Sequence, residues 1–203
     1  MSQPLKLGFL ASRNGSSFRA IVEAIADGRL TAEARLLVSN NRSSAALDFA
    51  AAHGIPTLVA PTQTDPDAAD RRLCAAMTEA GVNLIVLSGY LRRLGPVTLE
   101  AFRNRVINIH PGPLPAFGGE GMYGRRVHEA VIAAGVPASG VTIHLVDEVY
   151  DHGAVLAQWP VPLEPGETAE SLEARVTDLE PRLFVETLGR IATGELVLPG
   201  RQA

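Results

Sequence analysis

One cysteine, Cys74, occurs in the 203 residues, so neither an internal disulfide nor a cysteine-based metal cluster can form, which suits a reducing compartment. Its place inside a helical stretch makes it a packing residue rather than a reactive thiol. No apolar run is long enough to cross a bilayer, and Lys6 and Gly8 interrupt what would be a secretory core at the N-terminus. A cytoplasmic protein without membrane partners is expected, in which the Asn-x-Ser triplets at Asn14 and Asn41 carry no glycosylation meaning. Basic charge is not in excess: a formal charge of −4 and a pI near 5.7 leave no broad face for nucleic acid. Solenoid repeats, linkers and low-complexity segments are missing too. No serine occupies a G-x-S-x-G elbow. His110, His128, His144 and His152 lack metal-ligand spacing, so acid–base chemistry is favoured and no metal is expected to be required.

What is present is a chain of 46% hydrophobic and 20% charged residues, the make-up of a compact globule, read as a single α/β domain over 1–203. Leu5 to Ala11 reads as a strand, and Phe18, Ile21, Val22 and Ile25 recur at helical spacing after the turn Ser12-Arg13-Asn14-Gly15-Ser16-Ser17. Small hydroxyl residues, a glycine and free backbone N–H groups at a helix start suit an anion, with Arg13 beside them. Capping of the helix by Ser16 or Ser17 is the simpler use of the same residues. The pattern repeats with Ala34 to Val38 and an alanine-rich helix to about His53, then a short strand in Gly54 to Val59 and a helix over Asp65 to Ala80. Leu84 to Leu87 reads as a strand buried on both faces, so parallel pairing is expected. The loop Ser88 to Leu94 leaves its carboxyl end, where open α/β sheets hold ligands.

Arg105 to His110 reads as the fifth strand, and alternation puts Asn108 and His110 on one side of it. Pro111, Pro113 and Pro115 with Gly112, Gly118 and Gly119 then forbid regular structure. Residues 119–124 match G-x-G-x-x-G, but a dinucleotide fingerprint follows a strand directly; these glycines are expected to let a loop pass close to other backbone. A helix over Arg126 to Ala134 follows. Val141 to Val146, with Thr142, His144 and Val146 on one face, is joined to Ala154 to Val161 by the acidic turn 147–153, too short for a crossover, so these two strands should be antiparallel. Leu172, Val176, Leu179 and Leu183 mark a long last helix, with a kink expected near Thr177 to Glu180 ahead of Pro181. Asn108, His110 and Asp151 remain as polar groups at strand ends. An amide and an imidazolium can stabilise an oxyanion while a carboxylate takes a proton, which fits acyl transfer without a covalent intermediate. Taken singly, each has a commoner structural use as turn Asn, core His or turn Asp.

Together these residues resemble the phosphoribosylglycinamide formyltransferase family of folate-dependent enzymes, along nearly the whole chain. Asn108-Ile109-His110-Pro111 matches that family's Asn-x-His-Pro, and Asp151 its catalytic aspartate. The resemblance implies a formyltransferase (Rossmann-like) fold, a mostly parallel seven-stranded sheet flanked by helices. It implies 10-formyltetrahydrofolate as co-substrate and glycinamide ribonucleotide as acceptor, in a monomer or homodimer. By the same resemblance Asn14, Gly15, Ser16 and Ser17, with Arg13, would hold the ribonucleotide phosphate, and Glu180 the rest of that substrate. Folate would lie against Tyr90, Leu91, Arg92, Arg93 and Leu94, against Asn108, and against Val146, Asp147, Glu148, Val149 and Tyr150. The family commonly has Ser-Leu after His-Pro, whereas this chain has Gly112-Pro113 ahead of Leu114-Pro115, a change near the acceptor cleft; a cis Leu114-Pro115 bond is expected. Other readings are a formyltransferase for another amine, a formyltetrahydrofolate hydrolase, and a folate- or nucleotide-binding module without turnover. A hydrolase usually carries a regulatory domain ahead of the catalytic one, and the tRNA-acting relatives add a basic C-terminal domain; neither is seen here.

Overall fold

The computed structural model describes residues 4–200. Seven strands form one sheet: β1 (Leu5–Leu10), β2 (Ala32–Ser39), β3 (Thr57–Val59), β4 (Leu84–Leu87), β5 (Val106–His110), β6 (Ala138–Leu145) and β7 (Val155–Pro162). Six helices connect or follow them: α1 (Ser16–Ala26), α2 (Ala45–Ala52), α3 (Pro66–Glu79), α4 (Pro96–Ala101), α5 (Arg125–Ala134) and α6 (Ala169–Thr193). The sheet order is β3-β2-β1-β4-β5-β6-β7, with parallel pairing from β3 through β5 and antiparallel pairing of β6 to both neighbours. The order reverses between β1 and β4, so the loops after these strands open at the switch point of the sheet.

Period-two alternation sorts the strand side chains into two cores. Leu7, Phe9, Leu84, Val86, Ile107 and Ile143 face a layer that includes Phe18 and Ile21 of α1 and Leu183, Phe184 and Leu188 of α6. Leu10, Val38, Ile85, Leu87 and Val106 face the other way, onto Leu73 and Met77 of α3. Central strands covered on both faces read as unbroken apolar runs, which is why Leu84–Leu87 is fully buried.

Boundaries moved in three places. β2 begins at Ala32 and β6 at Ala138, earlier than apolar content alone suggested, while β3 keeps only Thr57–Val59 of the expected Gly54–Val59 stretch. Polar residues join a strand when ladder bonds are available; Ile55 and Gly54 instead bond back to the end of α2. Antiparallel pairing of β6 and β7 is as expected, and α6 continues as a helix across Pro181. Leu114-Pro115 is cis.

Candidate active site

β5 ends at His110 because Pro111 has no N–H for the ladder. In the antiparallel register with β6, Asn108 stands opposite His144 and His110 opposite Thr142. The first pairing brings Asn108 Nδ2 to 3.2 Å from His144 Nε2. His144 Nδ1 lies 2.8 Å from the Leu145 carbonyl, an acceptor only, so Nδ1 carries the proton and Nε2 accepts from the Asn108 amide. Burial, the largest influence on this ring, holds His144 below the usual histidine range and so neutral. The amide of Asn108 is thereby oriented, with one hydrogen spent on His144 and the other left over.

His110 is 2% exposed. Its Nε2 donates to the Phe117 carbonyl at 2.7 Å, and its Nδ1 faces Asp151 Oδ2 at 3.4 Å. Burial, the largest influence, holds His110 below the usual histidine range against the opposing pull of the Asp151 charge and the Phe117 carbonyl. With Nε2 donating, a neutral ring would turn a lone pair toward the carboxylate, so the contact is attractive only with a proton between them. His110 and Asp151 therefore form a unit built to hold one proton. Both ring nitrogens are engaged, and donation to an oxyanion from Nε2 requires release of the Phe117 carbonyl.

Asp151 has a positive φ of 56°, rare for a residue with a side chain, in the turn between β6 and β7. The Gly119 N–H donates to its Oδ2 at 3.0 Å, and its Oδ1 lies 3.5 Å from His144 Nε2. The carboxylate thus sits between two buried imidazoles. The proline–glycine loop wraps it: a side chain on Gly118 would come within 3.0 Å of Asp151 Cβ and 2.3 Å of Leu114. The expectation for residues 119–124 is corrected here. Gly119, Gly121 and Gly124 have open space around them, and glycine is called for by φ values of 102°, 83° and 54° rather than by close backbone approach. Gly112 backs His110, and Val127 Cγ1 at 2.6 Å from its would-be Cβ leaves no room for the serine common there in the resembled family.

Beside this cluster lies a pocket at the carboxyl ends of β4 and β5. Tyr90, Arg92, Arg93 and Leu94 line one wall, Val146 to Tyr150 the other, with Asn108, His144 and Asp151 at the inner end. The guanidinium of Arg93 donates to the Glu148 carbonyl and lies 5.6 Å from the Tyr150 ring centre, tying the two walls together. Burial pushes the Tyr90 phenol up to about 12, so it remains an O–H donor at neutral pH. Leu91 is outside this pocket; it is 55% exposed and lines a neighbouring cleft with Arg92.

At the start of α1 the N-cap is Gly15, left-handed at φ 63°, with no side-chain capping bond. The capping alternative for Ser16 and Ser17 is overturned: both are inside the helix, ahead of Arg19, whose N–H is bonded to the Gly15 carbonyl. Their own N–H groups, with Asn14 alongside, belong to the unpaired first turn. Arg13 points elsewhere, into the cleft with Leu91 and Arg92. Glu180 is on α6, which packs against α1 and α5; burial raises its carboxyl to about 7, and no hydrogen bond or ion pair links it to Asp151 among the described residues.

His144 escaped the sequence reading although its face was assigned correctly. The available signal was its alternation with Thr142, which gains meaning once β6 is known to pair antiparallel with β5. Among the described residues no group of three or more His, Cys, Asp or Glu side chains is disposed to hold a metal ion.

Comparison with known proteins finds relatives of the chain as a whole. The sequence model described as formyl transferase matches residues 5–188. The chloroplastic phosphoribosylglycinamide formyltransferase of Arabidopsis thaliana is 40% identical over 189 residues, covering 92% of this chain and 65% of that protein. The phosphoribosylglycinamide formyltransferase of Mycobacterium tuberculosis is 37% identical over 204 residues, covering 100% of this chain and 92% of the other. The crystal structure of glycinamide ribonucleotide transformylase 1 from Symbiobacterium toebii superposes with a TM-score of 0.87 at 30% identity, covering 99% of this chain and 93% of that one. This chain spans just under two thirds of the plant relative's length and nearly all of the bacterial relative's.

Proposed function

The chain belongs to the formyl transferase family, and from that premise we propose that it transfers the formyl group of 10-formyltetrahydrofolate to the amine of glycinamide ribonucleotide in de novo purine biosynthesis. Residues 1–203 act in this reading as a single catalytic domain. The observation that carries it is the buried Asn108–His144 and His110–Asp151 pairing at the inner end of the β4–β5 pocket. Relatives of similar length bear the corresponding name. The pocket fits a flat polar ring: Leu87 and Leu94 supply apolar walls, while its inner end is polar.

When bound, the folate supplies an activated formyl carbon. The remaining Asn108 N–H is free to donate to the oxygen that becomes negative as the amine attacks. His110, on taking up a proton against Asp151, adds positive charge on the same face of β5. Asp151 takes the proton shed by the attacking nitrogen, through water, and returns it to the departing folate nitrogen, so none is consumed overall. The open N–H groups of Ser16 and Ser17, with Asn14 and Gly15, receive the ribonucleotide phosphate, and Glu180 the acceptor's ribose and amine region. No step requires a metal. A cytoplasmic location goes with the single cysteine, although the Arabidopsis relative is named chloroplastic; no helix among the described residues is long and apolar enough to cross a membrane.

The test is incubation of the protein with 10-formyltetrahydrofolate, with and without glycinamide ribonucleotide, following tetrahydrofolate release and the acceptor's mass. Formyl gain by the ribonucleotide is the expected result. Tetrahydrofolate release without acceptor would replace transfer by hydrolysis, and transfer to a different amine alone would replace the acceptor.

A further inference from the structure

The turn that leads into α1 has its carbonyls tied down and its N–H groups left over. The Ser12 carbonyl accepts from Asn41 Nδ2 at 3.2 Å, and the Arg13 carbonyl accepts from Ser44 Oγ at 2.5 Å and from the Ala46 N–H at 3.1 Å. The Asn14 carbonyl accepts from Arg19 Nε at 3.0 Å, and the Gly15 carbonyl from the Arg19 N–H at 2.9 Å. In a trans peptide the N–H points away from the preceding carbonyl, so each of these bonds also aims the next residue's N–H outward. Among the described residues the N–H groups of Arg13, Asn14, Gly15, Ser16 and Ser17 have no hydrogen-bond partner. A run of consecutive unpaired N–H groups is a nest for an anion.

Arg19 is the side chain that closes this arrangement. It lies one turn inside α1, half-buried, and reaches back over the turn. Besides the Asn14 carbonyl it engages the carbonyl of Ala45, the first residue of α2, through Nη2 at 3.0 Å. Its guanidinium lies 4.7 Å from the centre of the Phe49 ring, which is held edge-on by Phe18 of the core with ring centres 5.6 Å apart. The fork therefore rests on a fixed surface and joins the turn after β1 to α2. No carboxylate pairs with it among the described residues, so its charge adds to the positive end of α1. The Asn14–Gly15 peptide needs such a hold, because Gly15, left-handed at φ 63°, imposes no conformation of its own. Without the Arg19 fork that peptide is free to turn and take the Gly15 N–H out of the nest.

We propose that Arg19 is a positioning residue for the phosphate of the acceptor: it fixes the Asn14–Gly15 peptide from the carbonyl side, and with it the N–H groups that the phosphate binds. This rests on the acceptor being a ribonucleotide. Arg19 acts through the turn and not by contact, since its bonds lie on the face of the peptide opposite the free N–H groups. Its loss should therefore weaken binding of the phosphate end and leave the chemistry at Asn108 and Asp151 intact.

The experiment compares wild type with Arg19→Met, which keeps the stem against Phe49 and removes the donors, and with Arg19→Lys, which returns the charge and a single donor group. It reads kcat and KM for glycinamide ribonucleotide, kcat/KM for glycinamide ribonucleoside, which lacks the phosphate, and Kd for ribose 5-phosphate in the absence of donor. Arg19→Met should raise the ribonucleotide KM and the ribose 5-phosphate Kd by roughly tenfold, about the worth of one or two hydrogen bonds. The kcat and the ribonucleoside kcat/KM should not change, and Arg19→Lys should fall between. An unchanged ribonucleotide KM in Arg19→Met would overturn the proposal, as would an equal loss with the ribonucleoside, the sign of a merely structural role. Should Arg19→Met not fold, an unchanged ribose 5-phosphate Kd in Arg19→Lys would overturn it. Weakened ribose 5-phosphate binding in Arg19→Met, with no formyl transfer to the ribonucleotide by wild type, would uphold the positioning role and overturn the proposed function.

Discussion

Replacing Asp151 by Asn tests whether the carboxylate acts by moving a proton or only by shaping the loop. Asn keeps the shape: with its oxygen in the place of Oδ2 it still accepts from the Gly119 N–H, and its amide then takes the place of Oδ1 facing His144 Nε2. What it removes is the shared proton, leaving His110 neutral and no base for the incoming amine. A full ion pair at 3.4 Å would be worth about 5 kcal/mol at an effective dielectric of about 20, before the cost of burying both charges. Loss of acid–base catalysis typically removes about 10²- to 10⁴-fold in rate, or about 2.7–5.4 kcal/mol, which that interaction can supply. The expected outcome is a fall in kcat of that size, with the melting temperature within about 2 °C of wild type, since about 1 kcal/mol moves it by 2–4 °C in a domain of this size. The readouts are tetrahydrofolate release over a range of pH and a thermal scan of the same samples. A variant that keeps its melting point and turns over within threefold of wild type would refute the proton-transfer role.

Glu180 offers a second test through pH. Its carboxyl is raised to about 7 by burial, from the ordinary 4.5, so the folded chain binds the proton more tightly than the unfolded one. The stability contributed by that neutral carboxyl is present below the unfolded value and is lost as pH rises through about 7. Glu180→Gln, neutral throughout, should match wild type near pH 4 and exceed it near pH 8 by at most on the order of 3 kcal/mol, with a raised KM for the ribonucleotide; an equal melting-point difference at both pH values would contradict this. Away from the site, Asp70 of α3 caps α4 through the N–H of Val97 at 2.9 Å, the N–H of Thr98 at 3.2 Å and the hydroxyl of Thr98 at 2.5 Å. Asp70→Ala leaves those donors buried and unpaired, and should cost about 2–4 kcal/mol in denaturant unfolding; an unchanged midpoint would mean the cap contributes nothing.

Much of the architecture was legible because local pattern and global role agree. Leu84–Leu87 could only be a central strand, the helical spacing of Phe18, Ile21 and Val22 could only serve one buried face, and Pro111 had to end β5. The short turn before β7 dictated antiparallel pairing. Less legible was anything decided across the sheet. The β5–β6 connection contains a helix, which usually signals parallel strands, yet the pair is antiparallel, and that reversal is what puts His144 against Asn108.

Residue order alone specified which groups could do chemistry, since Asn108 and His110 are bound to share a face and Asp151 to stand on a turn. It also specified the α/β class and a strand, turn and helix over Leu5 to Ile25, while the folded chain set the N-cap at Gly15. The folded chain alone decided that His110 spends Nε2 on Phe117, that Asp151 stands between two imidazoles, and that Arg13 leaves α1 to join Arg42 and Arg92. The physical reason is range. Periodicity and turn chemistry act over a few neighbours and are written locally, whereas a proton's position and a cleft's charge depend on groups brought together from opposite ends of the chain.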